Sequence, residues 1–362
     1  MRVGIVGGGQ LGRMLAMAGL PLGQHFSFLE PAAQACAAEL GRQIALPYDD
    51  KAGIAELCAT CDVITYEFEN VPVEIAKRIG EQRPIYPAPE ALRVSQDRLT
   101  EKRCFESLGI GVTRFAPVDS LADLEAAARS IGTPAILKTR RMGYDGKGQY
   151  LIKTSADIPS AWQTLGRSPL ILEGFVNFKR EVSCLGVRSR YGETRFYPLS
   201  QNQHRSGILR VARPHANDPL QARAEDYTQR MLEKLHYVGL LAFEFFDVGG
   251  ELLGNEIAPR VHNSGHWSIE GAVCSQFENH IRAICGLPLG DTSLREPAAM
   301  VNFIGQAPPL DVLAKLPGTH IHMYDKAPRP KRKIGHATLT AADENSLTTR
   351  IDTLVELLPA DD

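Results

Sequence analysis

Hydrophobic and polar positions near the N-terminus follow a pattern of alternating strands and helices. Short apolar runs at 2–6, 25–29 and 62–66 predict strands, and apolar periodicity at 10–20 and 73–79 predicts helices. An alanine-rich stretch after Pro31 predicts another helix that ends near residue 40, and residues 84–86 predict a short strand. Alternation of this kind is typical of a parallel sheet covered by helices. We therefore predict a Rossmann-like α/β domain at 1–93.

The pattern changes after a helix predicted at 96–108. Strands are predicted at 135–138, 150–152, 170–173, 180–187 and 194–199, and a helix at 222–235 precedes a hairpin of 240–248 and 252–257. This order is α+β and predicts a second domain at 94–290. Strands near 299–304, 320–324 and 334–340, followed by a helix at 343–357, predict a small C-terminal domain at 291–362.

Length and composition are those of an ordinary soluble globular protein with two or three domains. A chain of 362 residues exceeds one ordinary core. Its net charge of -2 gives no basic excess for nucleic acid or an anionic membrane, and no apolar run reaches the ~20 residues of a membrane span. Seven cysteines, an odd number without a secretory leader, favour reduced thiols in the cytoplasm. The pair Cys58 and Cys61 is therefore expected to be structural and buried.

The first glycine-rich turn has the spacing of a dinucleotide-binding motif. Gly7, Gly9 and Gly12 match G-x-G-x-x-G, and Glu30 follows at the end of the next strand. Such glycines admit a pyrophosphate to a helix N-terminus, and the acid holds a ribose. Taken alone, the motif favours a nicotinamide oxidoreductase. The alternatives are a turn that only packs helix on strand, or an anion-facing turn at which Gln10 serves a different phosphate.

A second glycine-rich loop is more specific. Lys138 ends a predicted strand, and the loop that follows has glycines at positions 143, 146 and 148 around Lys147. Backbone N–H groups of such a loop can surround a polyphosphate while lysines neutralise its charge. The sequence lacks the G-x-x-x-x-G-K-[ST] motif, so this is not a Walker P-loop.

The predicted hairpin at 240–257 carries two acids among apolar residues. Glu244 lies on the first strand and Glu256 on the second, next to Asn255. Buried carboxylates need an ion-pair partner or a cation, and Mg²⁺ accepts one or two carboxylates together with phosphate oxygens. The alternative is an ion pair with Arg260. A shared metal requires Glu244 opposite Glu256, which predicts a three-residue turn or an equivalent bulge.

Several longer strings resemble a known family. They are Gly-Gly-Gln-Leu-Gly-Arg-Met at 8–14, Thr-Tyr-Glu-Phe-Glu-Asn-Val at 65–71, Gly-Tyr-Asp-Gly-Lys-Gly-Gln at 143–149 and Asn-Glu-Ile-Ala-Pro-Arg-Val-His-Asn-Ser-Gly-His at 255–266. Together with Glu-Gly-Phe-Val at 173–176, they resemble the ATP-grasp superfamily and, within it, the N5-carboxyaminoimidazole ribonucleotide synthetases. The likeness runs from residue 1 to about 340. Met142 and Lys331 depart from it, because the family more often has glycine at both positions.

The resemblance implies an ATP-grasp fold and a ligase that carboxylates 5-aminoimidazole ribonucleotide with ATP, Mg²⁺ and bicarbonate, through carboxyphosphate, in purine synthesis. The implied ATP-binding residues are Arg98, Lys138, Gly143, Tyr144, Asp145, Gly146, Lys147, Gly148, Gln149, Glu173, Gly174, Phe175, Val176, Glu181, His204, Asn255 and Glu256. Glu244 and Glu256 would hold the metal. The implied substrate-binding residues are Gln10, Leu11, Tyr144, Asp145, Arg260, His262, Lys326, Arg332 and Lys333, with Asp145, Arg260 and His262 catalytic.

Three functional classes remain at this point. The ligase accounts for both glycine loops and the paired acids, whereas an oxidoreductase leaves the hairpin and the second loop unexplained. A non-catalytic nucleotide sensor has no need of two metal carboxylates. The expected partners are small molecules, without nucleic acid or membrane, and the expected assembly is a homodimer.

Overall fold

The N-terminal residues form a four-stranded parallel sheet, which confirms the predicted alternation. The computed structural model describes residues 1–143 and 147–359. The strands are β1 (Arg2–Val6), β2 (His25–Leu29), β3 (Arg42–Ile44) and β4 (Val63–Tyr66), and the helices are α1 (Gln10–Gly19), α2 (Lys51–Thr60), α3 (Val73–Gly80) and α4 (Pro89–Ser95). The strand order is β3-β2-β1-β4. All three strand pairs are parallel, so the carboxyl ends of the strands meet at one edge.

One predicted helix of this region is wrong. Residues 31–40 form bends and a single 3₁₀ turn, Ala38–Leu40. The backbone of this segment also bonds to the neighbouring glycine turn, since Ala37 N donates to Gly8 O at 3.0 Å, which takes that N–H group out of a helical pattern. The elements β3 and α2 are additional to those predicted. The strand predicted at 84–86 is not formed, and this segment contributes an isolated β-bridge between Ile85 and Ile64.

A second, antiparallel sheet follows the helix α5 (Arg98–Ser107). Its elements are β5 (Phe115–Val118), α6 (Leu121–Ile131), β6 (Ala135–Thr139), β7 (Gln149–Ile152), α7 (Ile158–Leu165) and β8 (Leu170–Gly174), and the strand order is β5-β8-β6-β7. Leu137 and Leu172 are fully buried where the sheet packs on its two helices. The sheet thus holds Lys138 and Glu173 on adjacent strands.

The largest sheet has nine strands and contains the predicted hairpin. Its elements, with the remaining helices, are β9 (Arg180–Arg188), β10 (Thr194–Phe196), β11 (Ser200–Arg205), β12 (Ile208–Pro214), α8 (Gln221–Lys234), β13 (Gly239–Val248), β14 (Glu251–Ala258), α9 (Ser268–Gly271), α10 (Gln276–Cys285), β15 (Ala298–Ile304), α11 (Leu310–Leu313), β16 (Thr319–Met323), β17 (Lys333–Thr340) and α12 (Glu344–Glu356). The order is β14-β13-β9-β11-β12-β15-β17-β16, with β10 beside β9. The hairpin strand β14 is therefore an edge strand.

The C-terminal strands extend this same sheet. The link is an antiparallel pairing of β12 with β15, in which Val211 lies opposite Val301 and Ala212 opposite Met300. The predicted strands of the C-terminal segment are present within one or two residues of their predicted bounds. A continuous ladder of hydrogen bonds consequently connects the hairpin with β17.

Candidate active site

A cavity of about 430 Å³ lies between the N-terminal domain and the two other sheets. Loops at the carboxyl end of the parallel sheet form one wall, and the hairpin and the loop after it form another. The predicted site residues that line the cavity are Gln10, Leu11, Arg98, Gly143, Glu256, Arg260, His262 and Lys333. Residues from nearly the whole length of the chain therefore meet at one place.

The hairpin brings its two acids directly opposite each other. The turn is the shorter one, because Val248 pairs with Glu251 across two glycines. The register then shifts by one residue between Phe245 and Glu244, so Glu244 pairs with Glu256. The predicted alternative of an equivalent bulge is confirmed, with Asn255 as the extra residue. Opposed residues of an antiparallel pair share one face of the sheet.

This carboxylate pair has the properties of a cation site. Burial, and secondly the charge of Glu256, raise the pKa of Glu244 to about 8. Arg98 Nη1 donates to Glu256 Oε2 at 2.9 Å, while His262 Nε2 lies 3.6 Å from Glu244 Oε1. Within 1–143 and 147–359, no three His, Cys, Asp or Glu side chains are grouped to hold a metal ion. Two carboxylates suit Mg²⁺, which takes its other ligands from phosphate and water.

Lys138 and Glu173 form a buried ion pair beside this face. Lys138 Nζ donates to Glu173 Oε2 at 2.8 Å, and Lys102 Nζ lies 3.9 Å from the same oxygen. Burial opposes ionisation of Glu173, but the charges of Lys138 and Lys102 outweigh it and hold its pKa at about 2. The carboxylate of Glu173 thus points to the lysines. Just after the end of β8, the side chain of Phe175 is exposed.

Aromatic side chains offer a flat apolar surface on the same face as the acids. The rings of Phe178 and Phe246 stack with centroids 4.8 Å apart, and Phe175 and Phe178 are exposed. Phe246 lies two residues from Glu244 on β13 and opposite Glu181 on β9. Because alternate strand residues share a face, Glu181, Glu244 and Phe246 point the same way. The arrangement suits a purine base with its ribose toward Glu181.

Two polar residues predicted for the nucleotide site are in direct contact. His204 Nδ1 and Glu181 Oε2 form an ion pair between β11 and β9. Burial disfavours the charged form of His204, but the hydrogen bond and charge of Glu181 outweigh it and raise the pKa of the imidazole. The pair therefore orients Glu181 at the edge of the apolar surface.

The N-terminal glycine turn is filled by a carboxylate of the protein itself. Glu67 accepts hydrogen bonds from Gly9 N and, at 2.6 Å, from Gly12 N, so it occupies the N-terminus of α1. Burial raises its pKa against the effect of these hydrogen bonds. Glu30 accepts from Gly8 N at 3.1 Å and from Tyr48 Oη at 2.6 Å. The backbone N–H groups of Gly9 and Gly12 are thus taken by Glu67, and an anion-facing role of the turn through Gln10 stays a prediction.

Arg260 is paired with Glu69, and not with either acid of the hairpin. Arg260 Nε donates to Glu69 Oε2 at 2.5 Å, and both residues line the cavity. His262 follows two residues later, and its Nδ1 lies 2.9 Å from Ser264 Oγ. Burial, and secondly the charge of Arg260, lower the pKa of His262 well below its ordinary value. The imidazole is therefore neutral at neutral pH.

The basic residues predicted in the C-terminal segment have different surroundings. Lys326 Nζ donates to Gln10 Oε1, which joins the segment to the start of α1. Lys333 lines the cavity. Arg332 is half-buried and donates through Nη1 to Ala327 O at 3.1 Å. Lys326 therefore reaches the cavity only through Gln10, which lines it, and Arg332 is not among the lining residues.

The glycine-rich loop after β6 is partly described. Tyr144, Asp145 and Gly146 lie outside the described residues, whereas Gly143 lines the cavity and Gly148 and Gln149 lead into β7. Met142 has a φ of 61° and is exposed, and Lys331 has a φ of 62°. Both residues that depart from the family pattern therefore stand in the left-handed conformation that glycine adopts without strain.

Four functional residues were not predicted from the sequence. Glu67 and Glu69 follow a buried parallel strand, a position where side chains reach the cavity, and that signal could have identified them. Glu101 and Lys102 lie on α5 and contact the backbone of the hairpin. No sequence signal separates these two from an ordinary charged helix face. Cys58 and Cys61 are buried thiols, as expected.

Comparison with protein families divides the chain into three matched parts. The matches are a ribonucleotide synthetase preATP-grasp domain at residues 1–96, an ATP-grasp domain at 103–277 and a phosphoribosylaminoimidazole carboxylase C-terminal domain at 298–350. The parallel sheet, the antiparallel sheet and the hairpin with its paired acids therefore define an ATP-grasp enzyme, which confirms the predicted fold class.

Individual relatives narrow the class further. N5-carboxyaminoimidazole ribonucleotide synthase from Pseudomonas aeruginosa is 54% identical over 99% of this chain and 100% of its own length. The corresponding enzyme from Brucella melitensis is 45% identical over 93% of this chain and 95% of its own. The chain belongs to the family of N5-carboxyaminoimidazole ribonucleotide synthases.

Solved structures agree with this assignment. The synthetase from Thermus thermophilus superimposes with a TM-score of 0.95, at 51% identity over 99% of both chains. A synthase from Aspergillus clavatus, in complex with ADP and 5-aminoimidazole ribonucleotide, superimposes with a TM-score of 0.91 at 29% identity over 98% of both chains. Among the described residues, no helix is long and apolar enough to cross a membrane.

Proposed function

We propose that this chain carboxylates 5-aminoimidazole ribonucleotide on its exocyclic amine. The co-substrates are ATP and bicarbonate, and the products are N5-carboxyaminoimidazole ribonucleotide, ADP and phosphate. The observation that carries the proposal is the opposed pair Glu244 and Glu256 beside a cavity that Arg260 and Lys333 also line. The face that carries the acids can bind a nucleotide with its metal ion, and the cations of the cavity can bind a second, anionic substrate.

The nucleotide is proposed to bind along the face shared by the aromatic pair and the acids. Its base stacks near Phe175 and Phe178, and its ribose meets Glu181. Its phosphates then extend toward Arg98 and Glu256. Glu244 and Glu256 hold Mg²⁺, which supplies charge neutralisation at the phosphate oxygens when bound.

The first step is transfer of the γ-phosphoryl group to bicarbonate. A bicarbonate oxygen attacks the γ-phosphorus, the bond to the β-phosphate oxygen breaks, and carboxyphosphate and ADP result. Such transfer depends on positioning and charge neutralisation, so no covalent nucleophile is required. Arg98 and Arg260, fixed by Glu256 and Glu69, provide oriented positive charge at the cavity.

The second step forms the carbon–nitrogen bond. The amine attacks the carboxyl carbon of carboxyphosphate, or the carbon dioxide released from it, and phosphate departs. A base must take the amine proton, and His262 and Asp145 are the proposed candidates. His262 lines the cavity and is held by Ser264.

An ADP-release assay tests the function. We expect ADP only when ATP, Mg²⁺, bicarbonate and the ribonucleotide are all present, with one carboxylated ribonucleotide formed per ADP. ADP release that is unchanged when the ribonucleotide is omitted would contradict the proposal. A nucleotide sensor would bind MgATP without turnover, and an oxidoreductase would be stabilised by NAD in a thermal shift experiment.

The remaining expectations complete the proposal. The domain boundaries are proposed at 1–93, 94–290 and 291–362, the assembly as a homodimer, and the compartment as the cytoplasm. Seven cysteines without disulfides support a reducing compartment. Sedimentation equilibrium tests the homodimer, and a monomer at micromolar concentration would contradict it.

A further inference from the structure

The bulge that pairs the two acids disturbs the backbone ladder of β14. Phe245 lies opposite Gly254 and Glu244 opposite Glu256, so Asn255 has no residue across from it. A bulge leaves backbone groups without ladder partners. Because β14 lies at the edge of its sheet, no further strand among residues 1–143 and 147–359 pairs with it on that side.

Side chains of α5 satisfy the backbone at this point. Lys102 Nζ donates to Gly254 O at 3.0 Å and to Asn255 O at 2.9 Å. On the other side of the bulge, Ile257 N donates to Glu101 Oε1 at 2.8 Å. Lys102 and Glu101 are each 1% exposed, so these contacts are shielded from water. Hydrogen bonds that are shielded from water are electrostatically stronger than exposed ones.

The same helix also fixes one of the acids. Arg98, three and four residues before Glu101 and Lys102, donates to the Glu256 carboxylate. Residues with this spacing lie on one face of a helix. The start of α5 is held by Asp97, whose Oδ1 accepts from Leu99 N and Thr100 N. One helix face thus contacts both the bulged backbone and the carboxylate that the bulge positions.

Direct contact of Lys102 with a substrate phosphate does not fit its surroundings. Its ammonium is buried, donates to two carbonyl oxygens and lies 3.9 Å from Glu173. Without Lys102, the two carbonyls would lack these donors, and straightening of β14 would restore its ladder. A register slip of one residue turns every later side chain to the other face of a strand. Glu244 would then face Asn255, and Glu256 would leave the site.

We propose that Lys102, together with Glu101, is a positioning residue: it holds the bulge at Asn255 and so keeps Glu244 and Glu256 on one face of the hairpin. This inference rests on the proposed function, because it requires that these two carboxylates bind the metal ion. The side chain acts through the backbone and touches neither metal nor substrate.

The test compares Lys102→Met with Arg103→Met, an exposed cation on the same helix. Binding of Mn²⁺ in the presence of ADP is measured by electron paramagnetic resonance, alongside the Mg²⁺ dependence of turnover. Supporting side chains around metal sites typically contribute 10–100-fold in affinity, so we expect Lys102→Met to bind Mn²⁺ about tenfold more weakly. The KM for the ribonucleotide should stay near wild type. Wild-type Mn²⁺ affinity in Lys102→Met overturns the inference.

A second pair of variants decides the case if Lys102→Met does not fold. Glu101→Leu removes the acceptor for Ile257 N, whereas Glu101→Gln keeps an amide oxygen there. We expect weaker Mn²⁺ binding only in the leucine variant, and equal affinity in both variants overturns the inference.

Glu256→Gln separates this inference from the proposed function. If Glu256→Gln binds Mn²⁺ like wild type, the metal site itself is wrong. If Glu256→Gln weakens Mn²⁺ binding and Lys102→Met does not, only the positioning role is wrong.

Discussion

Arg260 Nε and Glu69 Oε2 lie 2.5 Å apart at the wall of the cavity, although 191 residues separate them in sequence. Burial alone would raise the pKa of Glu69, but the charge and hydrogen bond of Arg260 outweigh it and lower the value to about 2. The pair therefore joins the N-terminal domain to the loop after the hairpin. It also fixes the guanidinium that faces the proposed bicarbonate site.

Because of this ion pair, the free energy of unfolding should depend on pH in the acid range. The ordinary pKa of Glu69, about 4.5 in the unfolded chain, falls to about 2 in the folded state. The stabilisation is thus complete above pH 4.5 and is lost as the pH falls toward 2. One pKa unit corresponds to 1.36 kcal/mol, so the contribution is about 3 kcal/mol. Urea unfolding between pH 2.5 and 6 should show a shallower pH dependence in Glu69→Gln than in wild type. The same pH dependence in wild type and in Glu69→Gln would contradict the assignment of the lowered pKa to Glu69.

Removal of one hairpin acid should weaken the metal dependence of turnover. Glu256→Gln keeps the size of the side chain but removes a negative charge from the proposed Mg²⁺ site, so we expect kcat to fall by about 100-fold. The Mg²⁺ concentration for half-maximal activity should rise as well. The control is Glu251→Gln, an exposed residue at the start of the same strand. A similar loss in both variants would point to the hairpin fold and not to the metal.

Replacement of Arg332 should change the KM for the ribonucleotide and not the KM for ATP. If its guanidinium meets the 5′-phosphate of the ribonucleotide, Arg332→Ala removes a charged hydrogen bond and raises that KM by about tenfold or more. The KM for ATP should stay near wild type, since ATP is proposed to bind on the hairpin face. The neighbouring exposed cation Lys331, changed to Ala, controls for general charge. An equal rise in both KM values in Arg332→Ala refutes the assignment.

Substitution of Lys331 should change the free energy of unfolding. Its φ of 62° lies in the left-handed region, where a side chain costs about 1–2 kcal/mol and glycine costs less. Lys331→Gly should therefore unfold with a free energy about 1 kcal/mol higher than Lys331→Ala, which loses the same charge but keeps a Cβ atom. Denaturant unfolding of the two variants measures the difference. Identical midpoints would mean that the turn is unstrained.

The sequence predicted those parts of the fold that depend on local pattern. The hairpin acids were predicted to face each other because a shared metal ion requires it, and the bulge at Asn255 met that requirement. The strands of the C-terminal segment were predicted from their local sequence pattern. Periodicity of side chains carries this information without any knowledge of distant contacts.

The parts that could not be predicted depend on contacts between distant segments. The alanine-rich stretch at 31–40 has good helix formers, but its backbone bonds to the glycine turn at Gly8. Glu67 filled the turn that the motif alone assigned to a phosphate. Lys102 reaches a backbone more than 150 residues away. In each case tertiary hydrogen bonds outweigh local propensity, and one sequence does not show which segments meet.

The nine-stranded sheet fixes the relative positions of the hairpin acids and Lys333. Because one unbroken ladder runs from β14 to β17, the hairpin acids and Lys333 are parts of a single stiff plate. Among the described residues, no strand pair connects this plate to the sheet formed by β5, β6, β7 and β8. Rotation of that smaller sheet, which carries Lys138, breaks no ladder bond. Such a rotation would leave the spacing between the hairpin acids and Lys333 unchanged.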